Sequence, residues 1–368
     1  MLFLAYLGAL TGAARYTAPA WAALRTIQDS LEQKRQQSEY LGIGAFQGLS
    51  SLLYLFYHLG VLWNEPALLR ECEDLIAFLP AMVEKDKTYD IISGAAGCIL
   101  TLLGFHRVTS SQAALTVANQ CGQHLLQHAC RMRVGVGWKP LYQVFPLAGF
   151  SHGVVGIAYS LLSLAAASGD ERFKQTALEA LAYERSLYVP AEQNWLDLRE
   201  ESAHATRSGQ TGGEEQQKFM SAWCHGAPGI GLARLASLPY IDDTRIHEEI
   251  EIACKTTAAH GFGLNHSLCH GDMGNLETLL VAARILGRPE YYEKVYRIAG
   301  MLLGESDTHD WVTGVPIAVE TPGLMTGLAG IGYELLRLAE PEQVPSVLLL
   351  APPFAPDNSP ARSQAHAA

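Results

Sequence analysis

Two short motifs in the second half of the chain carry residue types that bind metals. The order Cys-His-Gly occurs at residues 224–226 and again at residues 269–271. Thiolate sulfur and imidazole nitrogen are ligands that zinc prefers in proteins. The plainer interpretation is two structural cysteines beside ordinary histidines, but the duplication favours convergence on one ion. The four candidate ligands are Cys224, His225, Cys269 and His270.

A glycine motif recurs six times, and each copy precedes an apolar segment. The motif is Gly-x-x-Gly, or Ala-x-x-Gly in its first copy. The copies occupy residues 45–48, 94–97, 153–156, 226–229, 271–274 and 327–330. Their spacing exceeds that of tetratricopeptide or ankyrin repeats and fits helical hairpins with long connecting loops. Helix packing alone would explain a single copy, whereas six copies in register predict a helical array.

The segments between and after the glycine motifs differ in charge. Residues 65–79, 171–184 and 291–303 are amphipathic, which is typical of helices that cover a core. Residues 157–164 carry almost no charge on any face, which is typical of a buried helix. We therefore expect an all-α fold in which outer and inner helices alternate. Inner helices that each begin at a glycine would bring their free N–H groups together at one end of the array.

Composition excludes several classes of protein. The chain is 49% hydrophobic and 17% charged, so it should fold around a large core. Its net charge is −11, and no run of Lys or Arg is longer than a pair, which argues against nucleic acid as a partner. Seven cysteines form an odd set, most of them within apolar stretches, which favours a reducing compartment over a disulfide framework.

The first residues are apolar, but the first basic residue is Arg15, so the start lacks the charged region of a signal peptide. No other apolar run reaches the ~18 residues that a membrane span needs. These observations predict a soluble, cytoplasmic protein. We expect one domain over residues 1–345 and a disordered tail over residues 346–368, where four prolines follow position 350. The polar stretch 200–217 is expected to be a solvated loop.

The ordered set of motifs resembles the lanthionine synthetase C-like family. The resemblance is carried by Gly-Phe-Ser-His-Gly-Val-Val-Gly at 149–156, by the two Cys-His-Gly motifs, and by Gly-Leu-Met-Thr-Gly-Leu-Ala-Gly-Ile-Gly-Tyr at 323–333. Trp223 before the first Cys-His-Gly, the opening Leu-Phe-Leu-Ala-Tyr-Leu and residues 40–48 are most similar to the C-terminal cyclase domain of class II lanthipeptide (lantibiotic) synthetases. The match runs from Leu2 to Ala339.

This resemblance implies a closed α/α toroid with zinc at one end of a central cavity. It implies Cys224, Cys269 and His270 as zinc ligands, with the fourth position left for a substrate cysteine. It also implies His152 as the active-site histidine and Asp90 as its partner. An arginine that some relatives place four residues before the first zinc cysteine is absent, because Met220 occupies that position.

The activity implied is that of a zinc-dependent peptide cyclase. It would add cysteine thiols to dehydroalanine or dehydrobutyrine and form lanthionine or methyllanthionine thioethers in a ribosomally made precursor peptide, a lyase-class reaction. Metal coordination deprotonates a thiol, and a histidine that titrates near pH 7 can protonate the α-carbon afterwards. His152 or His225 could donate that proton, and the sequence does not choose between them.

The implied partners are the precursor peptide, a dehydratase and an exporter. Class II synthetases carry a large dehydratase that a chain of this length cannot contain, so we expect dehydration to come from another polypeptide or from a missing part of a larger synthetase. The expected location is cytoplasmic, with a membrane association through an export complex.

Two other functions stay open at the level of sequence. A non-catalytic peptide-binding module of the same fold would use Cys224, His225, Cys269 and His270 to close a structural zinc site. A helical-toroid glycosidase would need paired carboxylates. Candidates for that pair are Asp90, Asp197, Asp272 and Glu277, although Asp197 is expected to pair with Arg199 or cap a loop, and Asp272 to cap the helix after Gly271.

Overall fold

The computed structural model describes residues 1–37, 42–140, 143–199, 218–306 and 310–354. Within these ranges the chain is mainly helical. The helices are α1 (Leu2–Thr11), α2 (Ala14–Gln37), α3 (Leu49–Leu62), α4 (Pro66–Ile76), α5 (Pro80–Val83), α6 (Ala95–Thr109), α7 (Gln112–His128), α8 (Val154–Ser168), α9 (Glu171–Arg185), α10 (Ala227–Ser237), α11 (Thr244–His260), α12 (Asp272–Leu286), α13 (Pro289–Ser306) and α14 (Leu328–Ala339). A 3₁₀ turn lies at Pro316–Ala318.

Two layers of helices form a closed ring. The inner layer contains α1, α3, α6, α8, α10, α12 and α14, and each packs against the next. Helix α14 returns to pack against α1, which closes the ring. The outer layer contains α2, α4, α7, α9, α11 and α13, each of which packs on the inner helix that precedes it. The fold is therefore the all-α toroid expected from the sequence.

Burial follows the charge pattern of the two layers. Inner helix α8 is buried along nearly its whole length, from Val154 to Ala165, because it has helices on several sides. Outer helix α4 buries only one stripe, which includes Leu68, Cys72 and Leu75. Pro66 lies in the first turn of α4, where its missing N–H has no intrahelical acceptor to lose. The predicted inner and outer assignments of these segments are confirmed.

Helix α1 completes the inner ring although no glycine motif precedes it. Its sequence is apolar on all sides, and Leu2, Ala5 and Tyr6 are buried. The Tyr6 hydroxyl lies 2.8 Å from Nδ1 of His58 in α3, and its ring packs edge-on against Tyr333 of α14. The apolar first helix is thus part of the inner ring, where it packs between α3 and α14.

The glycine motif has a steric cause that the structure makes explicit. In five copies the second glycine lies in the first helical turn, where a Cβ atom would come within 2.1 Å of the carbonyl oxygen six residues earlier. The loop before each inner helix folds back over that first turn, so a side chain there would collide with backbone. The glycines with this contact are Gly97, Gly156, Gly229, Gly274 and Gly330.

The first copy is out of register with the others. Gly48 is the residue immediately before α3, as Gly94 is before α6. It therefore corresponds to the first glycine of the other motifs, and the prediction of six copies in register is wrong for residues 45–48. Ala45 instead lies in the preceding loop, where its N–H donates to the Ile91 carbonyl oxygen.

Short antiparallel hairpins cross two of the connecting loops. Strand β1 (Cys130–Arg131) pairs with β2 (Val136–Gly137), with Cys130 opposite Gly137. Strand β3 (Tyr188–Val189) pairs with β4 (Asn194–Trp195), with Tyr188 opposite Trp195. The second hairpin leads directly to residues 196–199, which reach the site described below.

The chain stays packed beyond residue 345. Val347, Leu348 and Leu350 are buried, and the Ala351 carbonyl oxygen accepts a hydrogen bond from Tyr54. The expected boundary at residue 345 therefore falls within the packed chain, while residues 355–368 and the expected loop at 200–217 lie outside the described residues. None of the described helices is both long and apolar enough to cross a membrane. All seven cysteines are free thiols.

Candidate functional site

Backbone hydrogen bonds join the loops that precede the inner helices. The N–H of Ile91 donates to Ser151, that of Ser151 to Cys224, that of Cys224 to Cys269 and that of Cys269 to Met325. These bonds measure 2.8 to 3.4 Å and run from loop to loop around one end of the toroid. The side chains next to them are therefore held in fixed positions at the mouth of the central cavity. This arrangement brings Asp90, His152, His225 and His270 to the same end.

Cys224, Cys269 and His270 form a compact group at this mouth. One ligand atom from each side chain lies within 4.8 Å of the other two. The His270 Nε2 atom lies 2.9 Å from the Gly314 carbonyl oxygen. Because that oxygen can only accept, Nε2 carries the proton and Nδ1 keeps its lone pair. Two sulfurs and one imidazole nitrogen can hold a metal ion, and their softness favours zinc over calcium or magnesium.

The two thiols of this group affect each other's proton affinity. A hydrogen bond from Cys224 to the Cys269 sulfur raises the pKa of Cys224, which burial raises further. The same hydrogen bond lowers the pKa of Cys269. One sulfur of the pair is thus prepared to lose its proton first, which suits a pair of metal ligands.

His152 and Asp90 form a hydrogen-bonded pair beside the thiols. Nδ1 of His152 lies 2.6 Å from Oδ2 of Asp90, and Oδ1 of the same carboxylate accepts from the Ser93 N–H at 2.8 Å. Asp90 is buried, whereas the His152 side chain is 43% exposed and lines the cavity. Burial lowers the pKa of His152, but the hydrogen bond and charge of Asp90 outweigh it, so that pKa is raised overall. The pair can hold a proton and present it to the cavity.

His225 lies against His152 but has different surroundings. The two ring centroids are 6.1 Å apart and the planes are 24° from parallel. The His225 Nδ1 atom lies 3.1 Å from the Ala148 carbonyl oxygen, and the residue is buried. Burial and the charge of Arg199 lower the pKa of His225 to about 4. The imidazole is therefore neutral near pH 7 and is fixed in its orientation by the loop before α8.

Arg199 is a charged group of the site that the sequence analysis did not select. Its guanidinium binds Asp197 through two nitrogens, at 2.9 and 2.5 Å, which confirms the expected pairing. Its Nη2 atom also lies 3.1 Å from the sulfur of Met220. Arg199 therefore brings a positive charge next to Met220, the position at which some relatives carry an arginine. In the sequence, the spacing Asp-x-Arg after a strand was the available signal for Arg199. The folded structure was needed to show that its guanidinium lies beside Met220.

The cavity beside these residues is mainly apolar. It has a volume of about 570 Å³ and is lined at the site end by His152, Ser151 and Cys269. Its other lining residues include Phe46, Ile92 and Leu324. A cavity of this kind suits a peptide that carries apolar side chains next to a reacting thiol.

The other carboxylates considered for a glycosidase are partnered separately. Oδ1 of Asp272 accepts from the Gly263 N–H at 2.9 Å and ties down the loop before α12. Glu277 is fully buried and binds Arg337 at 2.7 Å. Together with the Asp90–His152 and Asp197–Arg199 pairs, these contacts give each of the four carboxylates a different partner. The arrangement does not favour a pair of acid and base carboxylates.

Solved structures with the same architecture support the description of the fold. The structure of nisin cyclase matches with a TM-score of 0.68 at 17% identity, over 95% of this chain and 89% of that one. A protein from Listeria innocua matches with a TM-score of 0.55 at 12% identity, over 80% and 84%. Cellobiose 2-epimerase from Bacillus thermoamylovorans matches with a TM-score of 0.53 at 12% identity, over 78% and 86%. The protein is thus one of the α/α toroids, a class that hosts unrelated chemistries.

The sequence assigns the family within that class. The model of the family described as "Lanthionine synthetase C-like protein" matches residues 1–349. The chain therefore belongs to that family. The lacticin 481/lactococcin biosynthesis protein LcnDR2 of Lactococcus lactis subsp. lactis is 25% identical over 207 residues. That match covers 52% of this chain and 20% of the relative, so the shared region is about a fifth of the relative's length.

Proposed function

We propose that the chain is a zinc-dependent peptide cyclase that forms lanthionine or methyllanthionine rings. The observation that carries the proposal is the grouping of Cys224, Cys269 and His270 at the same end of the toroid as the His152–Asp90 pair, with Cys269 and His152 lining one cavity. Membership of the lanthionine synthetase C-like family supports it, as do the names of two similar proteins, a lacticin 481/lactococcin biosynthesis protein and nisin cyclase. The substrate is a precursor peptide that already contains dehydroalanine or dehydrobutyrine, so a dehydratase acts first.

The ligand set and the cavity define the first half of the reaction. Zinc held by Cys224, Cys269 and His270 would supply a Lewis acid that keeps an incoming cysteine thiol deprotonated near neutral pH. The apolar cavity wall holds the dehydroamino acid close to that sulfur and excludes water. The sulfur–carbon bond forms at the β-carbon as the carbon–carbon double bond opens, and its electron pair moves to the α-carbon.

His152 then completes the reaction by supplying a proton. The α-carbon takes up the proton held on Nε2, while Nδ1 stays hydrogen-bonded to Asp90. The carboxylate stabilises the protonated ring before the transfer and fixes its orientation. His225 is the weaker candidate for this role, because it is buried and its pKa is lowered to about 4. Atoms balance, since the thiol proton lost at the start equals the proton gained by the α-carbon.

A non-catalytic zinc module would need a fourth protein ligand. The compact group contains three side chains, and His225 is outside it. Its Nδ1 atom instead faces the Ala148 carbonyl oxygen. We therefore expect His225→Ala to retain zinc, whereas a closed four-ligand site would lose it. Zinc loss in His225→Ala equal to that in Cys224→Ala would favour the non-catalytic module.

The test of the proposed function measures metal content and ring formation together. Purified wild-type protein should contain close to one zinc per chain and consume the free thiol of a synthetic dehydrated peptide. Because cyclisation leaves the mass unchanged, the thiols are counted by alkylation. Cys269→Ala should lose both zinc and thiol consumption, while Cys130→Ala, a partly exposed thiol in β1, should keep both. Full zinc retention in Cys269→Ala, or no thiol consumption by the wild type, would refute the proposal.

A further inference from the structure

Four large apolar side chains are exposed near the loop that precedes α14. We call residues 310–327 the rim loop, and Leu264, Val312, Ile317 and Val319 the rim patch. Ile317 is 93% exposed and Leu264 is 82% exposed, while Val312 and Val319 are exposed to a lesser degree. Apolar surface of this kind, gathered at one place, is typical of a binding surface.

The rim patch is connected to the metal-binding group by hydrogen bonds. In the rim loop, the Gly314 carbonyl oxygen accepts from Nε2 of His270 at 2.9 Å, and the Met325 carbonyl oxygen accepts from the Cys269 N–H at 2.8 Å. The Gly314 N–H in turn donates to Thr326 at 2.8 Å, which folds the rim loop back on itself. The same loop thus contacts two of the three candidate ligands and carries exposed apolar side chains.

Leu264 belongs to this surface although it lies in a different loop. His266, two residues later, makes two hydrogen bonds with Val312, one through its backbone N–H at 2.8 Å and one through its ring Nδ1 at 2.9 Å. On the other side of the patch, the Thr313 hydroxyl donates to the Val319 carbonyl oxygen at 2.7 Å. These bonds hold the loop before α12 and the rim loop together as one surface.

Ile317 is both exposed and strained. Its backbone has φ 57° and ψ 22°, the left-handed region that β-branched residues rarely adopt. A strained conformation at an exposed apolar residue gains nothing from the core and costs stability. Such strain tends to occur where a side chain is presented to a ligand. Burial of Ile317 by a bound partner would offset both costs.

We propose that the rim patch binds the apolar side chains of the substrate peptide that lie a few residues from the reacting cysteine. Ile317 lies three positions after Gly314, so their Cα atoms are at most about 11 Å apart. An extended peptide covers that distance in about three to four residues. The occupant is the peptide itself, because a thiol that reaches Cys269 and His270 brings its flanking residues across the rim loop. This inference rests on the proposed function and names a preference for apolar residues beside the cysteine.

The test compares two synthetic peptides that each contain one dehydrobutyrine and one cysteine. In one the cysteine is flanked by Leu and Phe, and in the other by Ser. Burying one large apolar side chain corresponds to roughly a ten-fold change in affinity. We therefore expect Ile317→Asn to raise KM about ten-fold for the apolar peptide with little change in kcat, and to leave KM for the Ser-flanked peptide unchanged. Fluorescence anisotropy with dehydrated peptides whose cysteine is replaced by Ser measures the same binding without reaction.

Two further variants separate peptide binding from structure. Ile317→Gly removes the strain, so it should raise the melting temperature while it weakens peptide binding as Ile317→Asn does. Ile285→Asn is the matched control, since Ile285 is a half-exposed isoleucine at the far end of α12 from the site. It should bind both peptides as the wild type does.

Each outcome decides the inference. Normal cyclisation by Ile317→Asn with unchanged KM and affinity for the apolar peptide would overturn it and leave the proposed function intact. Loss of affinity in Ile317→Asn, with no cyclisation by any variant, would support the rim patch as a peptide surface and refute the proposed function. A change in oligomeric state on gel filtration, with unchanged peptide affinity, would show that the rim patch joins two copies of the chain and would also overturn the inference.

Discussion

The charged groups in the wall of the toroid and those at its mouth have different partners. In the wall, Arg234 is fully buried and binds Glu249 at 2.7 Å and Glu184 at 3.0 Å, so its guanidinium joins two carboxylates. At the mouth, the Asp90 carboxylate accepts from the Ser93 N–H and binds one ring nitrogen of His152, whose side chain is 43% exposed. The charged groups in the wall neutralise one another, whereas the His152 ring at the mouth keeps one side exposed to the cavity. The first arrangement stabilises the fold and the second is suited to proton transfer.

The buried charged network of the wall also holds one of the loops at the mouth. The second carboxylate oxygen of Glu184, Oε1, accepts from the Gly149 N–H at 3.2 Å. Gly149 has φ 104°, a conformation that favours glycine, and lies three residues before His152. The loop that carries the candidate acid is therefore attached to the buried network between α9 and α10. This contrast suggests which substitutions should affect catalysis and which should affect stability.

The largest effect is expected at the mouth. His152→Asn removes the proton donor but keeps a polar side chain, so cyclisation should fall by about 10²- to 10⁴-fold with zinc content and helicity unchanged. Thiol alkylation over time, elemental analysis and circular dichroism measure the three quantities. The matched control is His247→Asn, because His247 forms a 2.6 Å pair with Asp242 on the outer surface. Wild-type cyclisation by His152→Asn would remove this residue from the mechanism.

The next largest effect is expected from a substitution in the buried charged network of the wall. Arg234→Met leaves Glu184 buried beside an apolar side chain, while Glu249 keeps Arg185 and Arg245 as partners. Removing one partner of a buried ionic network costs about 3–5 kcal/mol, which urea unfolding would show. Arg172→Met, which removes an exposed pair with Asp170, should leave the unfolding midpoint unchanged. Equal midpoints for the two variants would contradict the distinction between wall and surface charges.

A smaller effect concerns the pH dependence of the mouth. Asp90 keeps the pKa of His152 raised, so Asp90→Asn should lower that pKa and move the alkaline loss of activity to lower pH. The stability that the protonated pair contributes is fully present below the ordinary histidine pKa of about 6.5 and is lost as pH rises through the raised folded-state pKa. Rate and melting profiles from pH 5 to 9 would test this. An alkaline limb in Asp90→Asn that coincides with that of the wild type would contradict it.

The smallest effect is expected from a substitution of Arg199. A hydrogen bond from Cys224 and the charge of Arg199 lower the pKa of Cys269, so Arg199→Gln should raise that pKa. In metal-free protein, the pH at which Cys269 reaches half its maximal alkylation rate should increase. Arg131→Gln, which removes a surface pair with Glu179, is the control. An unchanged midpoint in Arg199→Gln would show that the charge does not act on this thiol.

The amino-acid sequence by itself determined the two helical layers and the types of residue at the mouth. Uncharged segments such as 157–164 are typical of buried helices, and one-sided apolar segments such as 171–184 are typical of helices that cover a core. The doubled Cys-His-Gly motif identified the two thiols and two imidazoles before any distance was known. These features are local, because periodicity and residue chemistry are readable along the chain.

Only the tertiary structure decided how the ring closes and how similar residues differ. Helix α1 joins α3 to α14, and Gly48 takes a place that its motif did not indicate, because these depend on contacts between distant segments. His152 and His225 both precede a motif glycine, yet one meets a buried carboxylate and the other a backbone carbonyl. Arg199 reaches Met220 across 21 positions. Burial and the nearest charged neighbour determine such differences, and neither is encoded in the spacing along the chain.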